Sequence, residues 1–186
     1  MRKIVAGLFI SLDGVVEAPE TWSGPYHSPE VDGVVYGAMA ASDTLLLGRR
    51  TYQTFEQAFA GNSDPMAATM NALRKVVVST TLEQAAWQNT TLVGADVAEG
   101  IRCLKAEPGT NIGISGSATL VRWLLREGLL DELNLIVCPL VVGHGRRLFE
   151  EEGALVPLEL VESAAFANGV QHLVYGPVGV RQSAAA

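Results

Sequence analysis

Leu45-Leu46-Leu47-Gly48-Arg49-Arg50-Thr51-Tyr52 reads as an apolar strand that stops at a glycine and turns directly into a helix. Two other stretches are built the same way: Val76-Val77-Val78-Ser79-Thr80-Thr81, and Ile112-Gly113-Ile114-Ser115-Gly116-Ser117-Ala118-Thr119-Leu120. In each, apolar residues give way to small or hydroxyl residues, and the first and third stretches then open helices. The first turn of a helix has unsatisfied N–H groups and the positive end of a dipole, so it favours an anion. Two such ends, with Arg49, Arg50, Ser79 and Thr80 beside them, suit a molecule carrying several phosphates, such as a nicotinamide dinucleotide.

Further strands are expected at Ile4–Ile10, Thr91–Val93, Glu132–Val137, Leu158–Ala165 and Val170–Tyr175. Several of these runs lack polar alternation, the pattern of strands covered on both faces in a parallel sheet. Helical spacing predicts Pro29–Ala41, Thr51–Ala60, Ala95–Ala106 and Ala118–Glu127; the last turns Leu120, Val121, Leu124 and Leu125 inward and Arg122 and Arg126 outward. Asn168-Gly169 between the last two strands signals a hairpin. The expected fold is therefore α/β: a three-layer sandwich with a mixed, mainly parallel central sheet and a C-terminal antiparallel hairpin. One domain is expected over residues 1–177, with a tail at 178–186. Residues 13–29 form a Gly/Pro-containing stretch too long for a mere connector, which points to a functional lid or to disorder.

The chain has 186 residues, 48% of them apolar and 18% charged, which suits one globular core. Its net charge of −7 argues against nucleic acid or an anionic membrane as partner. A small phosphate-bearing ligand needs only a local basic spot. Cys103 and Cys138 form no C-x-x-C pair, and His27, His144 and His172 have no metal spacing, so no metal is expected and the thiols read as reduced in a cytoplasmic protein. The apolar start at Ile4–Ile10 runs into Ser11-Leu12-Asp13-Gly14 and reads as a buried first strand rather than a signal peptide.

Ser11-Leu12-Asp13-Gly14, Leu47-Gly48-Arg49-Arg50-Thr51-Tyr52, Val78-Ser79-Thr80, Ser115-Gly116-Ser117-Ala118-Thr119-Leu120 and Leu130-Asp131-Glu132-Leu133, in that order, resemble the dihydrofolate-reductase-like superfamily. The closer resemblance is to the branch named for the C-terminal reductase domain of the bifunctional riboflavin-biosynthesis deaminase–reductase, over about residues 2 to 176. The resemblance implies an NADPH-dependent hydride transfer to a small heterocycle, pterin- or aminouracil-like, in a protein that assembles as a homodimer. It places Gly48, Arg49, Arg50 and Thr51 at the cofactor phosphates. Ser79 and Thr80 fall beside the adenine ribose and its 2′-phosphate. Gly116, Ser117, Ala118 and Thr119 form the turn under the diphosphate. Each has a plainer reading: tight turns for the glycines, solvated helix positions for the arginines, and a cap for Ser79-Thr80. Their joint occurrence favours the cradle.

The reduction also needs a proton. Candidate acids are Asp13, Glu17, Glu30 and Asp32, with Asp13 and Asp32 as the expected catalytic pair. Asp13 ends the first strand, where α/β ligands gather, or forms an Asx turn with Gly14. Asp32 matches the first-helix carboxylate of folate-reducing relatives, or is a solvent-facing acid that favours the helix dipole. Trp22, Tyr26 and His27 are expected either to wall the substrate pocket or, for Trp22, to anchor packing. Val15 and Val16 stand where riboflavin-pathway reductases carry a basic residue, and their Asp-Asp-Pro segment is missing, so a sugar phosphate is not the expected substrate. Pro139–Phe149 reads either as a loop shaping the pocket or closing a homodimer, or as a surface turn. A non-catalytic ligand-binding protein of the same fold is the alternative function.

Overall fold

The structure is a computed structural model that describes residues 1–149 and 155–179. The expected tail thus lies, from residue 180 on, outside the described residues. The eight expected strands all form: β1 (Ile4–Ser11), β2 (Ser42–Gly48), β3 (Arg74–Val78), β4 (Thr90–Val93), β5 (Asn111–Ile114), β6 (Glu132–Cys138), β7 (Leu158–Ala165) and β8 (Gln171–Pro177). They make one sheet in the order β4-β3-β2-β5-β1-β6-β8-β7. The pairs from β4 to β6 are parallel, and β8 and β7 add antiparallel at the far edge. The β7–β8 hairpin turns at Phe166–Gly169, where Gly169 has a positive φ and donates its N–H to the Phe166 carbonyl.

Helices cover both faces. On one side α4 (Val97–Ala106) and α5 (Ala118–Arg126) pack Ile101, Leu104, Val121 and Leu124 against Ile4, Ala6, Leu46 and Ile114. On the other side α2 (Arg49–Phe59) and α3 (Pro65–Ala72) enclose Leu45, Leu47 and Val77 with Tyr52, Met70 and Trp87. On that second face α1 (Pro29–Ala40) sets Val31 on Ile136 and Cys138. Alternation along β2 sends Leu46 to one layer and Leu45 and Leu47 to the other, which is why both faces bury apolar residues. The helix α3 was not anticipated. Its start is nevertheless conventional: Pro65 opens it and the Asp64 carboxylate accepts the Ala67 N–H at 2.9 Å.

The N-terminal ends of the strands are fastened by buried or half-buried charge. The Arg2 guanidinium binds Asp43, the Thr44 hydroxyl and the Thr110 carbonyl. The Lys105 ammonium reaches Asp131 at 2.5 Å and the Leu129 carbonyl at 3.1 Å, and Asp131 also accepts the Ile4 N–H. Lys75, fully buried on β3, donates to the Met70 and Asn71 carbonyls at the end of α3 and lies 4.2 Å from the Trp87 ring centre. Burial pulls its ammonium down to about 8.

Candidate functional site

The C-terminal ends of β2 and β5 lie side by side, because these strands are neighbours in the sheet. Their turns interlock through Ser117. Its hydroxyl accepts the Gly48 N–H at 2.8 Å and bonds the Thr51 hydroxyl at 2.7 Å. Ser117 adopts a left-handed conformation, φ 66°. The glycines are demanded by this contact. A Cβ at Gly48 would lie 2.6 Å from the Ser117 hydroxyl oxygen, and one at Gly116, where φ is +102°, would lie 3.2 Å from Thr51 Cγ2.

A cleft of about 1050 Å³ opens at these turns. Its lining includes Gly48, Arg49, Arg50, Thr51, Gly116, Ser117, Ala118 and Thr119, so eight of the ten expected cofactor residues meet there. Ser79 and Thr80 do not line it. The Ser79 hydroxyl instead accepts the N–H groups of Thr81 and Leu82, which is the capping role. The cleft continues over Gly7 and Phe9 of β1, between Phe55 of α2 and the segment Val16–Glu20.

The two helices that open on the cleft share with α4 the absence of a side-chain cap. At α1 and α3 the side chains of Ser28 and Asp64 cap the first turn. At α2 and α5 no side chain caps the amides, and α2 begins with two arginines and no acid. Cations at the positive end of a helix dipole are unfavourable unless an anion joins them. Among the described residues, Arg49, Arg50, Arg126 and Arg146 line the cleft without an ion pair. Arg122, also in the lining, donates to the carbonyls of Arg147 and Leu148 and so ties α5 to the loop after β6. A chain of net charge −7 thus gathers guanidinium groups at one mouth.

The expected catalytic aspartates lie elsewhere. Asp13 is outside the cleft lining. Its carboxylate accepts the Ser11 hydroxyl at 2.6 Å and the N–H groups of Val142 and Gly143 at 3.0 and 2.9 Å. Those bonds, the Ser11 hydroxyl foremost, hold it at about 2, so it stays ionised and brackets the end of β1 to the loop after β6. Asp32 also lies outside the lining; its carboxylate pairs with His27 Nδ1 at 2.5 Å. Of the four candidate acids only Glu17 lines the cleft, joined by Glu20. Glu17 accepts the Arg146 N–H at 2.9 Å, while Glu20 makes no hydrogen bond or ion pair among the described residues.

The long segment after β1 is ordered, with 3-10 turns at Pro19–Thr21 and Gly24–Tyr26. Trp22 and Tyr26 pack on Val31 and Ile136 rather than walling the cleft, and Trp22 Nε1 donates to the Glu17 carbonyl at 3.0 Å. The Pro139–Phe149 stretch shapes the cleft: Arg146 lines it, Arg147 bridges to Val15, and Leu148 is fully buried. Sequence reasoning missed Gly7, Thr54, Phe55, Trp123 and the inward use of the α5 arginines. The glycine inside an otherwise bulky first strand was the available signal.

The sheet order, the two helical layers and the cleft at the strand tips define the dihydrofolate-reductase-like α/β class. A dihydrofolate reductase from Enterococcus faecalis, complexed with NADP(H) and RAB-propyl, superposes with a TM-score of 0.62 at 16% identity, over 94% of this chain and 95% of that one. A putative riboflavin biosynthesis protein from Shewanella sp. PV-4 superposes with a TM-score of 0.74 at 22% identity, over 95% of this chain and 98% of its own. The family model described as RibD C-terminal domain matches residues 2–172, and the chain belongs to that family. The Bacillus subtilis (strain 168) protein YyaP, itself uncharacterized, is 27% identical over 94% of each chain. Among the described residues no helix is long and apolar enough to cross a membrane, and no cluster of His, Cys, Asp or Glu could hold a metal ion.

Proposed function

We propose that this protein is an NADPH-dependent reductase that delivers a hydride to a small heterocycle, pterin- or aminouracil-like. One observation carries the reading: two adjacent helix starts, uncapped by side chains and flanked by unpaired Arg49 and Arg50, in a cleft large enough for a dinucleotide. The residues fit the group. Gly48 and Gly116 keep the turns narrow, the amides after Gly48 and Ser117 would hold a diphosphate, and Arg49 would supply a planar donor for a terminal phosphate. When bound, the reduced nicotinamide supplies the hydride.

This chain's own residues position the ligands, exclude water and handle a proton. Phe9, Phe55 and Val16 give the cleft an apolar wall. Asp13 lies outside the lining with its carboxylate engaged by Ser11, Val142 and Gly143, so this reading assigns the proton elsewhere. Glu20, which lines the mouth and makes no hydrogen bond or ion pair among the described residues, is the carboxylate this reading assigns to the proton's path. The engagement of both expected aspartates also favours a second reading, a dinucleotide-binding protein without turnover. A homodimer is part of the first proposal: β7 is an edge strand with Leu160 and Val161 exposed, which supports pairing with a second copy.

Titration with NADPH and NADH, followed by the emission of cleft-lining Trp123, tests the cofactor. Arg49→Ala is expected to weaken NADPH by about tenfold or more and NADH much less, since only NADPH has a 2′-phosphate to lose. Equal weakening would count against Arg49 as the phosphate ligand. Loss of absorbance at 340 nm with pterins or aminouracils then separates a reductase from a silent binder.

A further inference from the structure

Asn134 interrupts the apolar run of β6, Leu133 to Cys138, and asparagine is disfavoured inside strands. Its carboxamide oxygen lies 3.1 Å from Nε2 of His172, a buried residue of β8. The oxygen accepts, so the imidazole donates. Burial holds this imidazole below its ordinary range, so near neutral pH it is uncharged and has one N–H to give. Glu162 of β7, the charged neighbour that acts against that shift, is exposed.

The register sets Asn134 beside Gly7, and Ile136 beside Phe9. Ile136 packs with Val31 of α1, and strand alternation puts Asn134 on that same face. Gly7 and Phe9 line the cleft, so Asn134 is the next residue across the sheet from the cleft floor, one strand or about 4.8 Å on. A Cβ built at Gly7 would meet nothing within 4 Å, so β1 sets no side chain between the amide and the cleft. The oxygen and the NH2 of a carboxamide diverge from one planar carbon. His172 turns the oxygen toward β8, which leaves the NH2 turned toward β1. Nδ2 has no hydrogen-bond partner among the described residues. No buried side-chain nitrogen or oxygen there lacks one, so this NH2 is open to solvent rather than sealed in the core.

We infer that Asn134 is a specificity-determining residue of the substrate site, its NH2 donating to a carbonyl oxygen on the edge of the heterocycle, and that His172 is the positioning residue that keeps the amide from turning over. This deepens the reductase reading above and rests on it. A carboxamide free to turn would offer oxygen or NH2 alike; a fixed one selects an oxo group over an amino group.

The test uses pterin and 2,4-diaminopteridine, in which an amino group replaces the carbonyl, and follows quenching of their emission. NADPH affinity, measured alongside and expected to stay within about twofold in every variant, reports an intact cleft. Wild type should favour pterin by about tenfold. Asn134→Ala should bring the ratio of the two affinities near one, and Asn134→Asp, which only accepts, should reverse it. His172→Phe should also level the ratio, while His172→Gln, whose amide can supply the same donor, should keep it. A ratio unmoved by these substitutions, or an equal loss of both pteridines and NADPH as from a merely structural role, overturns the inference. So does a wild type that binds NADPH but neither pteridine, which leaves the dinucleotide site standing. Failure of wild type to bind NADPH removes the reading and the inference with it.

Discussion

Replacing Gly48 by alanine probes the joint between the two strand tips. The backbone at Gly48, φ −83° and ψ 160°, accepts any residue, so the substitution adds no conformational strain. The new methyl would sit 2.6 Å from the Ser117 hydroxyl oxygen. That hydroxyl must leave, and with it go the bonds to the Gly48 N–H and the Thr51 hydroxyl. At about 0.5–1.5 kcal/mol each, two bonds give a loss of about 1–3 kcal/mol. For a chain of this size that lowers the melting temperature by roughly 2–12 °C. Ser117→Gly removes the same bonds but suits the left-handed φ of 66°. In the Ser117→Gly background, Gly48→Ala has nothing left to displace, and its effect should fall close to zero. The coupling across this double-mutant cycle, measured by urea or thermal unfolding, is then about 1–3 kcal/mol. Additive effects, with Gly48→Ala equally damaging in both backgrounds, would refute the interlock and the geometry of the cleft built on it.

Three further outcomes follow from other parts of the molecule. Asp13 is held at about 2 against an ordinary 3.8, so its contribution is present above that ordinary value and fades as pH falls toward 2. The stability gap between wild type and Asp13→Asn in urea should close over that interval, and a gap independent of pH would argue against the bracket. Lys75 sits at about 8 in the fold but at 10.5 when exposed, so the unfolded chain binds more protons between those values and stability rises with pH there. Lys75→Met should flatten that rise; an unaltered slope would place its origin elsewhere. Light scattering should give twice the chain mass of 19.7 kDa, and Val161→Lys on the β7 edge should shift the protein toward the single-chain value. A monomeric wild type would remove the dimer from the proposal.

The fold was open to reading because its strands are uninterrupted apolar runs and its hairpin carries Asn168-Gly169. The short helix α3 escaped because Met66, Ala67 and Met70 make a weak stripe among alanines and threonines, although Asp64-Pro65 marked its start. The phosphate side of the cleft was legible at Gly48 and Gly116, where local chain geometry is written into residue type. The acid side was not. Asp13 is claimed by amides about 130 residues further along, at Val142 and Gly143, and no local pattern announces that return. Asp32 lies five residues from His27, and whether a carboxylate turns to a cleft or to a neighbouring ring is decided by packing. Arg122 and Arg126 looked like solvated surface because sequence spacing shows which side of a helix a residue occupies, not what lies opposite.

The fasteners of this sheet and its open mouth sit at opposite ends of the strands. Arg2 with Asp43, Lys105 with Asp131, and Lys3 with Glu132 all cluster where the strands begin. The chain is thus a plinth with a separate rim: exchanges at the strand tips leave the ionic couples of the base untouched. Variants that retune which ligand is held should therefore be recovered far more often from the rim than from the plinth, where losing Asp43 or Asp131 leaves the buried cation of Arg2 or Lys105 without its ionic partner.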